Sequence, residues 1–211
     1  MHATERSPAG RRGRPTAEDS RHKMAQILTV AREAFSIHGY RAVTMQGVAE
    51  KAGVSTRTLY NRYADKLSLF AACLESGSDV FPSIRYVSGS DIGETLRVYA
   101  VGIVRALSTD SSTRLGMLVY REGREFPELV AAAEANQQQY LVEPVAVYLQ
   151  QAGLTVGGDS EARAKLFIAM AIADWQRRVS FLRPLPNPEE ARGHANLVVE
   201  LFLNGAQPRS G

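Results

Sequence analysis

With 211 residues, 45% of them apolar and 22% charged, the chain is long enough to bury one sizeable core or two modest ones. No apolar run approaches the roughly 20 residues of a spanning helix, so no membrane role is expected. The first twenty residues lack the apolar stretch of a secretory signal, and the cytoplasm is the expected location. The single cysteine, Cys73, excludes an internal disulfide and a cysteine-based metal site.

The formal charge of +3 is unevenly spread. Residues 1–66 hold twelve Lys and Arg against six Asp and Glu, whereas residues 67–211 hold thirteen against sixteen, so a polyanion would be met by the first third. Residues 1–17 show no apolar period and are expected to form a flexible basic arm. In it Arg11, Arg12 and Arg14 are spaced by Gly13 and followed by Pro15. Such a narrow cationic strand suits a DNA minor groove, the plain alternative being a solubilising tail.

A first helix is predicted over 18–38, with Met24, Ile27, Leu28, Ala31, Ala34 and Phe35 as its apolar stripe and Gly39 as its stop. Thr44 caps a short helix whose inward residues are Val48, Ala49 and Ala52. Gly53 supplies the turn, Val54 fills the corner, and Ser55 caps a second short helix with Leu59 and Tyr63 inward. Thr56, Arg57, Tyr60 and Asn61 are left outside. Two short helices joined by a glycine turn form the unit that lays its second helix in a major groove, and the outer set of hydroxyls, amide and guanidinium suits phosphates and base edges. Asp65 opens a fourth helix with Leu67, Phe70, Ala71 and Leu74 inward, reaching towards Phe81 before Pro82, and Lys66 in its first turn suits a phosphate.

The rest is again helical in pattern. Asp91 and Glu94 form a capping box before Ile92, Leu96, Tyr99, Ala100, Ile103 and Leu107, and a shorter helix is predicted over 112–123. Pro127 starts a long helix to about Gln151, in which Pro144 predicts a kink or break. A helix over 160–182 follows. The last begins with Asn187 as cap, Pro188 next and Glu190 completing the box, and runs to Asn204 and Gly205. No β alternation is present, so the predicted fold is all-α: a three-helix head with a helix-turn-helix at 18–66, a helical effector-binding and dimerisation domain at 67–205, and a disordered tail at 206–211.

The segment 44–66 resembles the DNA-binding signature of TetR-family transcriptional regulators, through Thr44, Val48, Ala49, Ala52, Gly53, Val54, Ser55, Thr58, Leu59, Tyr60, Tyr63 and Lys66. Ala34, Phe35, Gly39 and Tyr40 are similar to that family's first helix and its exit. Phe126, Pro127, Glu128 and Leu129 with the helices that follow are similar to its AcrR-like or AefR-like branches. Gly47, Arg57 and Leu67 depart from the pattern: the first removes the box partner of Thr44, and the second offers a guanidinium able to reach a guanine edge. The resemblance implies a homodimer on a palindromic operator, usually a repressor, released by a small-molecule effector in the rear domain. Carried onto this chain, Thr44, Ser55 and Lys66 would bind phosphates or frame the reading helix, while Thr56, Arg57, Thr58, Tyr60 and Asn61 would face bases or the flanking backbone.

One short reading helix spans few base pairs, so two heads about 35 Å apart are needed for specificity. The expected dimer interface is the apolar faces of the last two helices, around Phe167, Met170, Leu197, Leu201 and Phe202, with the subunit's own core as the plain alternative. Tyr86, Tyr99, Met117, Tyr120, Arg121, Phe126, Tyr140 and Trp175 are the candidates for an effector pocket, each with a core or surface role as its plain alternative. No enzyme motif occurs, the four histidines lack metal-ligand spacing, and no cofactor is expected. Cys73 on an apolar face is expected to be a small buried hydrophobe.

Overall fold

Caps written into the sequence set most of the helix boundaries. The computed structural model describes residues 17–78, 80–155 and 158–204. Arg11, Arg12 and Arg14 and the expected tail at 206–211 lie outside the described residues. Among the described residues the architecture is all-α, without a strand. Its first helix, α1 (Ala17–Ala42), leaves helical geometry at Gly39, where φ is 79° and ψ 170°. That conformation is open in practice to glycine alone, and it separates the last short piece of α1 from the main rod.

Two short helices follow, α2 (Met45–Lys51) and α3 (Thr56–Tyr60). The next, α4 (Lys66–Ser78), stops short of Phe81. Its buried line is Leu69, Phe70 and Cys73, while Leu67 and Leu74 are half-buried, so the stripe is rotated from the expected one. In α5 (Ile92–Leu107) the Asp91 carboxylate accepts the Glu94 N–H at 3.0 Å as expected, but the Glu94 side chain turns to Arg97 instead of completing the box. Thr109 caps α6 (Asp110–Glu122) two residues earlier than predicted.

The predicted break near Pro144 takes a specific form. α7 (Pro127–Gln137) passes through a π-helical turn, Gln138–Val142, into α8 (Glu143–Gln151). Pro144 has no N–H to return to the Tyr140 carbonyl, and the widened turn just before it absorbs the lost bond. Asp159 caps α9 (Ser160–Ser180), and Asn187 with Glu190 makes the reciprocal box that starts α10 (Pro188–Asn204): Glu190 N–H to Asn187 Oδ1 is 3.0 Å, and Asn187 N–H to Glu190 Oε2 is 2.9 Å.

Two main cores result. The first joins α1, α2 and α3 to α4, to Leu115 and Leu118 of α6 and to Leu129 of α7, so apolar packing runs without a gap across the expected boundary at residues 66 and 67. An aromatic chain threads it: Phe35 on Phe70 at 5.3 Å, Tyr40 on Phe70 at 5.8 Å, and Tyr40 on Phe126 at 5.2 Å, each edge-to-face. The second core lies among α5, the π turn, α8, α9 and α10. Cys73 is fully buried in the first, and burial pushes its thiol up to about 12.

Candidate nucleic-acid interface

Thr44 fixes the start of α2 with its Oγ1 accepting the Gly47 N–H at 3.1 Å. Val48, Ala49 and Ala52 are buried, and α2 ends in a reverse turn at Gly53, whose φ of 64° a side chain would resist. The Val54 N–H then reaches back to the Ala49 carbonyl at 3.0 Å, closing the corner. Ser55 repeats the device for α3: its Oγ accepts the Thr58 N–H at 3.0 Å and lies 2.7 Å from the Thr58 hydroxyl. Leu59 and Tyr63 anchor α3 below, the Tyr63 hydroxyl donating to Met24 Sδ at 2.8 Å.

With the inner side fixed, the outer side of α3 is free. Thr56, Arg57, Thr58, Tyr60 and Asn61 are all exposed, Tyr60 at 50% despite its large ring. Arg57 has no carboxylate within 4 Å among the described residues. An exposed tyrosine and an uncompensated guanidinium on a five-residue helix leave hydrogen-bonding capacity that water alone uses in the free protein.

Lys66 is placed differently from a solvated lysine. Its ammonium donates to the Tyr40 carbonyl at 2.7 Å, lies 4.4 Å from the Tyr40 ring centroid, and is held below the usual lysine range by burial. The start of α4 carries its own cap, because Asp65 Oδ1 accepts the Ser68 N–H at 2.7 Å and Ser68 Oγ accepts the Asp65 N–H at 3.0 Å. The free N–H groups expected there are thus partly used, and Lys66 pins the exit of α1 to the base of α4.

Residues 27–73 match the family model described as "Bacterial regulatory proteins, tetR family", and residues 94–205 match that of the "AefR-like transcriptional repressor, C-terminal domain". The chain belongs to the TetR family. It is a DNA-binding regulator of that family, and the N-terminal family model spans the helix-turn-helix at 44–63. Over 77 residues it is 40% identical to the HTH-type transcriptional activator FasR of Mycolicibacterium smegmatis, an alignment covering 36% of this chain and 34% of FasR. The match thus spans about a third of that relative.

Solved TetR-family structures share the fold. A regulator from Pseudomonas syringae pv. tomato superposes with a TM-score of 0.67 at 24% identity, over 86% of this chain and 95% of its own. The flavonoid-responsive regulator FrrA gives 0.70 at 22%, over 90% and 99%. One from Agrobacterium tumefaciens gives 0.70 at 21%, over 86% and 92%.

In this TetR-family chain the residues expected to line an effector pocket are distributed. Tyr99 is buried in the second core with its hydroxyl unpartnered and pushed up to about 12 by burial, and Tyr86 stands edge-on to Tyr148 at 6.2 Å. Trp175 is buried in a third small cluster with Met117 against it. Tyr120 is 61% exposed and accepts from Gln176 at 2.6 Å, while Tyr140 donates to Glu75 at 2.9 Å. Of the five dimer candidates, Phe167 is fully buried and stacks edge-on to Phe202 at 5.2 Å, and Met170 is half-buried. Leu197 and Leu201 are exposed, and the outward residue on α9 is Leu166, one position before Phe167.

Arg121 and Phe126 belong instead to a joint between head and body that residue patterns did not reveal. Glu122 at the end of α6 accepts the Arg41 backbone N–H at 3.1 Å and an Arg121 N–H at 2.8 Å. The Arg41 guanidinium pairs with Glu125 and sits 5.6 Å from the centre of the Phe126 ring. Burial works against ionisation of Glu122, yet the Arg121 side chain and the Arg41 amide hold its carboxyl below the usual range. Arg41 and Glu122 are 81 residues apart, and no local signal connects them.

Proposed function

We propose that the protein acts as a homodimer on a palindromic operator, as a repressor that a small-molecule effector releases. The observation that carries the reading is the outer face of α3, where Arg57, Tyr60, Thr56 and Asn61 stand exposed on a helix whose other side is locked into the core. In this reading Arg57 meets a base edge. Thr56, Thr58, Tyr60 and Asn61 meet bases or flanking sugar-phosphate, and Thr44, Ser55 and the one ammonium hydrogen of Lys66 left over from the Tyr40 and Arg41 carbonyls sit at phosphates. Arg11, Arg12 and Arg14 would follow the adjacent minor groove. Dimerisation covers Leu166, Leu197 and Leu201, which α9 and α10 leave outside, with Met170, Phe167 and Phe202 supporting that face from within. The family match of residues 94–205 supports an AefR-like assignment for the rear.

Selection of bound duplexes from a random pool tests this directly. A palindrome should emerge with half-sites about one helical turn apart, and its affinity should fall steeply as salt rises. Failure to enrich any duplex at low salt would refute the reading. A second reading, activation, is favoured by one observation: the relative matched in part is itself a transcriptional activator. A reporter placed behind the selected operator separates the two, since expression rises on deletion of a repressor and falls on deletion of an activator.

A further inference from the structure

A groove of about 520 Å³ lies between α5 and α10 in the rear domain. Its apolar lining is Val101, the Pro82 ring and, on an exposed wall, Val98, and Gly102 lets that ring settle on α5. A Cβ at Gly102 would stand 2.8 Å from Pro82 Cγ. Three arginines, Arg97, Arg105 and Arg192, line the groove as well, with Glu94 as its one carboxylate. Arg97 is tied to Glu94 at 3.0 Å, but neither Arg105 nor Arg192 has a carboxylate within 4 Å among the described residues. This concentration of cations lies in the part of the chain where acidic residues outnumber basic ones.

A second recess shares Pro82, Glu94 and Val98 with the groove and is bordered by Tyr99, whose buried hydroxyl has no partner.

We infer that the groove between α5 and α10 binds an amphipathic organic anion, an acid group on an aliphatic body, with Arg105 and Arg192 on the acid and Val98, Val101 and Pro82 against the body. The chemistry follows from the lining. Guanidiniums without counter-ions gain most from carboxylate or phosphate, which they meet with paired hydrogen bonds, while a neutral or cationic ligand would leave both uncompensated. The groove volume lies within the range of small-molecule sites. The regulatory meaning of this site rests on the effector reading above, whereas binding itself does not.

Titration calorimetry on the full chain without DNA tests the site, using decanoate, decyl phosphate and decanol below their micelle or solubility limits. At least one of the two acids should saturate one site per chain, with decanol about tenfold weaker or more. The Arg105→Gln/Arg192→Gln variant should lose about tenfold or more in affinity for the acid. Val98→Glu, which places a carboxylate on an exposed wall, should do the same. Thermal melts of both variants check that they fold. Equal binding of decanol and decanoate, an unchanged affinity in the double variant, or no saturable binding of either acid would overturn the inference. Adding the acid to the protein–operator complex then reads the consequence. Release of DNA supports the effector role, and binding without release leaves the groove in place but overturns that role.

Discussion

Replacing Gly39 with alanine puts a defined load on the joint between head and body. The residue holds φ 79° and ψ 170°, a region essentially reserved for glycine, and forcing a Cβ into it costs about 1–3 kcal/mol. The added methyl would also run into the Glu122 carboxylate and stand 3.1 Å from an Arg121 guanidinium nitrogen. The contacted oxygen is Oε1, so Glu122 must turn its carboxylate, straining the bond that its other oxygen, Oε2, accepts from the Arg41 N–H; a hydrogen bond to a charged group is worth about 1.5–3 kcal/mol when lost outright. The backbone cost of about 1–3 kcal/mol, plus up to about 3 kcal/mol from the displaced carboxylate, is a large share of the roughly 5–15 kcal/mol that holds a typical domain folded. Urea denaturation followed by circular dichroism measures it. Glu122→Ala alone and combined with Gly39→Ala completes a cycle. Because the clash exists only when both side chains are present, the double variant should be less destabilised than the sum of the singles by about 1–3 kcal/mol. A Gly39→Ala protein within about 0.5 kcal/mol of the parent, or strict additivity in the cycle, would refute the reasoning.

Arg57→Ala should lower operator affinity by about 1–3 kcal/mol and relax base preference at one half-site position, read by fluorescence anisotropy on a panel of single-base variants. Lys66→Ala should weaken all duplexes by a similar factor and also lower the urea midpoint, since the Tyr40 carbonyl loses its donor. The Glu122 and Asp174 carboxyls are both held below their ordinary values, so the folded state binds the proton less readily than the unfolded one. Their stabilisation is complete above the unfolded value of about 4 and is lost as pH falls through the folded value, and Glu122→Gln should therefore flatten the acid limb of a stability–pH profile. Parallel acid limbs for parent and variant would remove Glu122 from that account. Glu122→Gln should also leave decanoate binding unchanged while shrinking any decanoate-induced change in operator affinity.

Most of the fold was legible because its boundaries are local. Thr44, Ser55, Asp91, Asn187 and Pro127 each act within four residues, and side chains that cap or break a helix do so wherever the chain is placed. The outer face of α3 was legible for the same reason, since the spacing of Leu59 and Tyr63 dictates which residues face out. What escaped was set by distance. Leu69 and Cys73 displaced the expected stripe of α4 because that helix packs between α1 and α7, two partners that no local period specifies. Phe167 against Leu166 shows a related limit: on a helix with apolar residues on both sides, periodicity does not say which side meets the subunit's own core. Arg192 and Arg105 converge only because α10 returns along α5.

The groove and the joint are linked by a short stretch of chain. α5 ends at Leu107 and α6 starts at Asp110, with Ser108 and Thr109 between. That link is tightly bonded: the Ser108 N–H reaches the Val104 carbonyl at 2.9 Å, the Thr113 hydroxyl donates to the Leu107 carbonyl at 3.0 Å, and Thr109 caps α6. A ligand that wedges α10 from α5 therefore cannot turn α5 without moving the start of α6. A helix of 13 residues, about 20 Å long, carries such a tilt to Glu122, where the carboxylate holds the exit of α1. A small angular change at one end becomes a displacement at the other, and a hydrogen bond tolerates only a few tenths of an ångström before weakening. The head is held by that carboxylate on one side and by the apolar contacts of α4 and α6 on the other. Loosening the first without the second would leave it folded but free to change its angle, and in the proposed dimer two heads that lost their spacing would read a palindrome poorly.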